Sequence, residues 1–330
     1  MISEAGKKLL ERLDMAEENF TSVKRLVKFN PIQEHMGGGM KMRFKRLIYY
    51  RGEYIKHILR RLYGRLMFIF PESDTPVTTF WGRELFLPSR DVDAQNLSTF
   101  GTFDSGEAPL VRFLIKELKE NDVFYDVGAN YGFYTALAQE IITTGEIHSF
   151  EPSDFVFRRL QQVQSYRKNT FINKIALSDF FGKINFFDCA SNDSSGKSTT
   201  VSKVAHEHRH QYKTTEVTSS TLDEYCKNHK LPTVIKIDVE GAESKVLMGG
   251  MHTFKRNCPT IALELWSGEE LSKFSFQTLE ILEDFGYDPF FINSEGLLES
   301  TTFLHLTNFL KTPQQEINFV FKKTCSKSIT

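Results

Sequence analysis

Seven residues, Asp126-Val-Gly-Ala-Asn-Tyr-Gly132, constrain the fold of this chain more than any other segment. Val123-Phe-Tyr125 before them reads as a short buried strand. Phe133 to Ile142 after them is a largely apolar run without glycine or proline, which predicts a helix. Strand, tight glycine turn and helix make the first unit of a Rossmann-like sheet. The turn also bears on its ligand. A dinucleotide sets its pyrophosphate against such a turn, where the charge of Asp126 opposes it. S-adenosylmethionine brings an ammonium and a sulfonium there, and a carboxylate favours both. Gly128 and Gly132 lie four apart, and no third glycine completes G-x-G-x-x-G. Asn130 is expected to support the turn or the methionine carboxylate, and Tyr131 to line the cofactor pocket.

Further acids follow at strand ends. Gly145-Glu-Ile-His-Ser-Phe-Glu151 runs from a turn into a second strand that ends at Glu151, 19 positions beyond Gly132. An acid there hydrogen-bonds ribose hydroxyls in several nucleotide-binding sheets, so Glu151 supports a nucleoside ligand without choosing among them. Ala176 and Leu177 are expected beside the adenine, with plain core packing as the equal alternative. Val234-Ile-Lys-Ile-Asp238 reads as a central parallel strand with Asp238 at its carboxyl end, where open α/β sheets bind ligands. Thr260-Ile-Ala-Leu-Glu264-Leu-Trp266 ends with an acid and an indole at the same rim.

Together these segments resemble the FkbM family of S-adenosylmethionine-dependent methyltransferases. The resemblance is carried by Asp126 to Thr135, Phe150-Glu-Pro-Ser153, Asn173 to Ser178, Ile235-Lys-Ile-Asp-Val-Glu-Gly-Ala-Glu243 and Glu264-Leu-Trp266. Their order and spacing match from about residue 80 to the C-terminus. The resemblance implies S-adenosylmethionine as cofactor and O-methylation of a hydroxyl on a sugar, glycoconjugate or natural product. The expected fold is a Rossmann-like class I methyltransferase sheet, mostly parallel with one antiparallel strand near the C-terminus, behind an N-terminal helical extension.

The extension is legible in the charge pattern. Residues 3–28 read as an amphipathic helix, Gly37-Gly38-Gly39 breaks the chain, and residues 41–65 carry nine Lys or Arg against one acid, Glu53. The whole chain has a formal charge of −1, so the remainder is strongly acidic. Tyr49, Tyr54, Ile58 and Leu62 are among the apolar residues that interleave with these bases at helical spacing. Such a segment can lie on an anionic membrane, contact nucleic acid, or pack its aromatic side on the catalytic domain. The expected domains are 1–75, helical and basic, and 76–330, the methyltransferase domain, with Pro71 to Pro76 as linker and Trp81 to Pro88 as a hairpin arm. Four cysteines without a C-x-x-C pair suit a reducing compartment. No apolar run is long enough to span a bilayer. The expected location is cytoplasmic, at most peripheral on the inner face of a membrane.

Methyl transfer to an aliphatic hydroxyl needs a base within reach. Asp238 is the first candidate, with helix capping or binding of the methionine ammonium as its equal alternative. Glu240 and Glu264 follow as catalytic candidates, Glu243 reads as a solvated first-turn acid, and Lys236 as an ion-pair partner for one of these acids. His206, His208 and His210 cannot share one helical face and read as a solvated loop within the polar stretch 191–213, which is expected near the substrate. A divalent ion between Asp238 and Glu264 is conceivable, but no metal site is assigned. His148 reads as a core histidine. Against a nucleic-acid methyltransferase stand the absence of an Asn/Asp-Pro-Pro-Tyr/Phe motif and the reversed order of Cys258-Pro259. A dehydrogenase is opposed by Asp126 and the missing glycine. A non-catalytic cofactor-binding scaffold is the third alternative, disfavoured by the intact acids.

Overall fold

The computed structural model describes residues 2–27, 73–89, 91, 94, 97, 107–189, 195–207, 212–269, 271–313 and 316–323. The basic segment 41–65 lies outside them. Two compact units emerge: Lys8–Asp104, and Met1–Lys7 together with Ser105–Thr330. In the first, β1 (Asp74–Thr78) and β2 (Glu84–Pro88) form an antiparallel hairpin. The hairpin arm is thus present, but the expected linker already becomes β1 at Asp74. Val77, Leu85 and Leu87 alternate inward along the two strands, as a half-buried ribbon requires. A helix spans Glu4–Val27, and no described helix is long and apolar enough to cross a membrane.

The larger unit is built on an eight-stranded sheet. Its strands are β3 (Val123–Val127), β4 (Glu146–Phe150), β5 (Thr170–Asn173), β9 (Val234–Ile237), β10 (Thr260–Trp266), β11 (Asp288–Ile292), β12 (Leu298–Ser300) and β13 (Glu316–Lys322). They lie in the order β12-β11-β13-β10-β9-β3-β4-β5. From β5 to β10 all neighbours are parallel, and β13 is antiparallel to both β10 and β11. The short β12, which the sequence reading did not anticipate, is antiparallel to β11 at the edge and adds a second reversed strand. Every residue of β3 and β9 is buried. That explains why these central strands read as continuous apolar runs rather than as alternating ones.

The chain leaves β3 in one direction, through β4 to β5, and returns to β9 on the other side of β3. The switch point between β3 and β9 opens a crevice at the carboxyl ends of both strands. Before that return, a small sheet is inserted, ordered β6-β8-β7 from β6 (Ala176–Leu177), β7 (Gly182–Asp188) and β8 (Lys213–Ser220). The described residues between β7 and β8 are not an irregular loop throughout. They contain a 3-10 turn at Ser195–Lys197 and a helix at Ser202–Glu207, with His206 exposed. In the helix after β8 Thr221 is the N-cap, and its hydroxyl accepts from the Glu224 amide at 3.1 Å.

His148 is a satisfied core histidine, bonded through Nδ1 to the Tyr225 hydroxyl at 2.9 Å and through Nε2 to Glu146 at 3.2 Å. Burial lowers its pKa to about 4, so it stays neutral. Cys189 and Cys226 are free thiols, whereas Cys258 is disulfide-bonded, which departs from the reducing compartment that the cysteine spacing suits.

The switch point is closed by one backbone contact. Gly128 has φ +77, and a Cβ there would lie 1.7 Å from the carbonyl oxygen of Asp238. Only glycine lets the β3 turn and the end of β9 approach this closely. Gly128→Ala should therefore destabilise the protein by roughly 3 kcal/mol, from the left-handed backbone and the displaced loop together. Urea unfolding measures it, and an unchanged midpoint would show that the contact is not required.

Candidate functional site

A cleft of about 620 Å³ sits at this switch point. Its floor is the turn after β3, with Val127, Gly128 and Asn130. One wall follows β4, with Phe150, Glu151 and Pro152, and a second is apolar, with Ile175, Ala176, Leu177 and Phe186. The far side is polar: Asp238 and Glu240 after β9 face Ser198, Thr199 and Thr200 of the insertion. Of the residues singled out in the sequence, the cleft thus gathers Gly128, Asn130, Glu151, Ala176, Leu177, Asp238 and Glu240.

Asp126, Tyr131, Gly132 and Glu264 do not line it. Gly132, at φ +85, caps the Phe133–Ile141 helix and packs against Leu160 and Val163, while Tyr131 is buried. Asp126 is completely buried; its Oδ2 accepts from the Thr135 hydroxyl at 2.7 Å, and its Oδ1 has no hydrogen-bond partner. Register explains where it points. Asp126 pairs with Lys236 across β3 and β9, and strand neighbours share a face. Lys236 is itself buried and donates to Asp238 Oδ2 at 3.0 Å. Burial alone lowers its ammonium pKa, but Asp238 and Asp126 outweigh that and hold it above its ordinary value. Lys236 is the ion-pair partner expected from the sequence, and it ties a buried acid to a cleft acid.

Glu151 is fixed by backbone donors. Its Oε2 accepts from the Asn130 amide at 3.1 Å and its Oε1 from the Ser153 amide at 2.9 Å, which joins the glycine turn to the next helix. Burial nevertheless raises its pKa to about 8, so the carboxyl carries a proton over much of the neutral range.

The segment after β9 is bent sharply. Glu240 has φ +54, a left-handed conformation rare for a non-glycine residue and a common mark of functional sites. Its carboxyl is buried, with Oε1 3.6 Å from Lys197 Nζ and Oε2 without a hydrogen-bond partner. Burial pushes its pKa well above the usual carboxylate range. Glu243 departs from the solvated acid expected: it is buried, and Oε1 accepts from the Val239 and Gly241 amides, both at 3.2 Å. It holds the bend in place, and burial brings its pKa to about 7.

Behind the cleft lies a second polar layer. Glu264 accepts from Trp266 Nε1 at 3.2 Å, and burial followed by the charge of Asp238 raises its pKa well above the ordinary value. Glu107, at the start of the Ala108–Glu117 helix, accepts from the Tyr134 hydroxyl and from Asn318 Nδ2 at 3.3 Å, and is likewise raised by burial. Lys197 bridges Glu240 to Glu316, the latter at 3.0 Å. Lys197 and the three hydroxyl residues 198–200 fall within the polar stretch 191–213 expected near the substrate, though none was singled out, and Glu107 escaped sequence reasoning. They come from a helix start, from β13 pairing and from a polar insertion, none of which carries a periodic or motif signal. Among the described residues no cluster suited to a metal ion occurs.

The strand order, the reversed β13 and the cleft outside β3 and β9 define the Rossmann-like fold of class I S-adenosylmethionine-dependent methyltransferases. Residues 126–289 match the methyltransferase FkbM domain, and the chain belongs to that family. The match is shorter at both ends than the sequence resemblance, and it contains every cleft residue. The chain is similar to the hexuronic acid methyltransferase AglP of Haloferax volcanii, at 32% identity over 150 residues, or 44% of this chain. The match spans 56% of that relative's length. Among solved structures, an FkbM methyltransferase from Methylobacillus flagellatus aligns at 15% identity and a TM-score of 0.42, over 70% of this chain and 54% of its own. An S-adenosylmethionine-dependent O-methyltransferase from Thermotoga maritima aligns at 10% identity and a TM-score of 0.38, over 78% and 80%.

Lys236→Met leaves two acids on one face of the sheet without their cation. Breaking a buried pair from one side typically costs roughly 3–5 kcal/mol, and the partial exposure of Asp238 puts this case near 3 kcal/mol. The loss should shrink as the pH falls, because Asp126, already raised by burial, takes up a proton. Urea midpoints at pH 5 and pH 8 measure both; equal losses at the two pH values would remove Asp126 from the explanation.

Proposed function

We propose that this chain is an S-adenosylmethionine-dependent O-methyltransferase acting on a hydroxyl of a sugar, glycoconjugate or natural product. The observation that carries the reading is the charge of the cleft. Among the described residues its walls hold three carboxyl groups, Glu151, Asp238 and Glu240, and no lysine, arginine or histidine. Walls without a cation give the pyrophosphate of a dinucleotide nothing to pair with, and the carboxylate of Asp238 favours a cationic nucleoside. The discrimination first sought in Asp126 thus falls to residues that reach the cleft. The sugar class is supported by the relative named a hexuronic acid methyltransferase.

The residues fit this cofactor. Glu151, anchored on two amides, presents its carboxyl to ribose hydroxyls, and Ile175, Ala176, Leu177 and Phe186 form an apolar slot for the base. Gly128 leaves the turn on the cleft floor without a side chain, so its backbone could hold the methionyl part. When bound, the cofactor supplies a methyl group on a positively charged sulfur. The chain's own task is to align an acceptor oxygen with that methyl and remove its proton.

Asp238 is the base. Of the three catalytic candidates, Glu240 and Glu264 are pushed toward the protonated form by burial, which disqualifies them as resting bases. Asp238 is partly open to the cleft and ion-paired with Lys236 at 3.0 Å, so it stands ready as a carboxylate. It would take the proton of the acceptor's hydroxyl on an Oδ as the hydroxyl oxygen receives the methyl group. Lys236 positions it and limits its rotation.

The basic segment 41–65 is assigned to an anionic membrane surface, because its bases interleave with tyrosines and aliphatics at helical spacing.

Calorimetric titration with S-adenosylmethionine, with NAD as control, tests the cofactor; binding of NAD alone would overturn the assignment. Asp238→Asn should leave that binding intact and lower turnover by about 100-fold or more. Retention of near-full turnover removes Asp238 from the role of base. A second signature comes from Glu151. Ribose hydroxyls that donate to its carboxylate lower its pKa from about 8 in the free protein, so binding releases a proton. Affinity should rise with pH through the neutral range and level off above about pH 8. Titrations at pH 7 in buffers of different ionisation enthalpy count the released proton, which should vanish in Glu151→Gln.

A further inference from the structure

The acceptor side of the cleft carries one group that nothing in the protein satisfies. Glu240 Oε2 is buried on the cleft wall without a hydrogen-bond partner, on a residue 8% exposed and held in a left-handed backbone conformation. A buried carboxyl oxygen left alone is costly, so the site is complete only when a ligand meets it. The neighbours restrict what that ligand can be. Asp238 shares the wall with Glu240, and after burial it raises the proton affinity of both Glu264 and Glu107. The two ammonium groups nearby are already engaged: Lys236 by Asp238 at 3.0 Å, and Lys197 by Glu240 at 3.6 Å and Glu316 at 3.0 Å. The remaining polar groups on this side, Ser198, Thr199 and Thr200, are neutral hydroxyls, and that of Thr199 donates to the Glu240 carbonyl oxygen at 2.7 Å.

Resting on the methyltransferase reading above, we propose that this subsite selects its acceptor by charge. It takes an uncharged polyhydroxylated sugar, whose hydroxyls bond Glu240 and the hydroxyl residues of the insertion, and it refuses a sugar that carries a carboxylate beside the reacting hydroxyl. An anion entering beside Asp238 finds no free cation to balance it, because Lys236 and Lys197 are both engaged, and like charges placed together are strongly unfavourable when solvent is excluded. Hydroxyls, in contrast, both donate to and accept from carboxyl groups. A hexuronic acid is therefore the wrong acceptor for this chain, unless its carboxyl is masked as an ester.

The test compares matched acceptors with the purified full-length protein and radiolabelled S-adenosylmethionine. The probes are methyl glucoside, galactoside and mannoside, the corresponding methyl uronides, and the methyl esters of those uronides. The neutral sugars and the esters should be methylated, with kcat/KM for each free uronide lower by on the order of 100-fold. Glu240→Gln should narrow that gap about tenfold, since it loosens the hold on Lys197 and lets that ammonium meet a carboxylate. Should that variant fail to fold, Glu316→Gln, at the exposed end of β13, frees Lys197 from the other side and serves the same reading. Uronides turned over as well as the neutral sugars overturn the proposal, as does an unaltered gap in a folded variant. If no sugar of the set is bound or methylated, the acceptor class is overturned as well. The cofactor titration distinguishes that result from failure of the cofactor assignment.

Discussion

Lys236 holds the centre of this protein together. It sits in the middle of a buried parallel strand, where an ammonium has no water, and survives there because Asp126 lies beside it and Asp238 accepts its hydrogen bond. Buried ion pairs contribute little net stability compared with apolar packing, but breaking one from a single side is costly. The arrangement therefore fixes geometry more than it adds stability. It sets the register between β3 and β9, and so brings the glycine turn against the end of β9 and forms the cleft. It also makes the two acids unlike: Asp126 is sealed inside, while Asp238 faces the cleft on the opposite end of the same cation.

Burial sorts the other acids in the same way. Glu151, Glu240, Glu243 and Glu264 are all pushed toward the neutral form, each for the same first reason, loss of water around the charge. What separates their roles is what surrounds them. Glu151 and Glu243 are held by backbone amides and act as braces, one for the turn and one for the bend after β9. Glu240 has an oxygen left over. A site with many carboxyl groups can thus carry few charges and still be directional.

Much of this was legible in the sequence because it rests on local patterns. The turn between Asp126 and Gly132, the acid closing β4 and the apolar run ending at Asp238 are each contained in a few consecutive residues, and all three lie where the sheet binds. The orientation of Asp126 was not legible. A residue at the end of a strand reads as a rim residue, but the pleat of β3 turns this one toward Lys236, and only the register of β9 decides that. Glu243 read as a solvated acid because a helix start favours exposed acids; the bend at Glu240 folds it inward instead. Glu107 carried no signal of its own, and Lys197 was one residue of a polar stretch; the partners that each finds in β13 lie more than a hundred residues away.

The inserted sheet divides the cleft between two kinds of backbone. Gly128, Glu151 and Asp238 sit on the ends of the main sheet, whose strands are locked by parallel pairing on both sides, whereas residues 198–200 arrive from a segment strung between two antiparallel strands. Phe187 and Thr199 exchange two backbone hydrogen bonds that moor that segment to β7. The half that holds the nucleoside is thus built into the scaffold, and the half opposite hangs from a replaceable strap. A lineage with this architecture can change what it modifies by rewriting a dozen residues between β7 and β8, with no cost to the register that keeps the catalytic end in place.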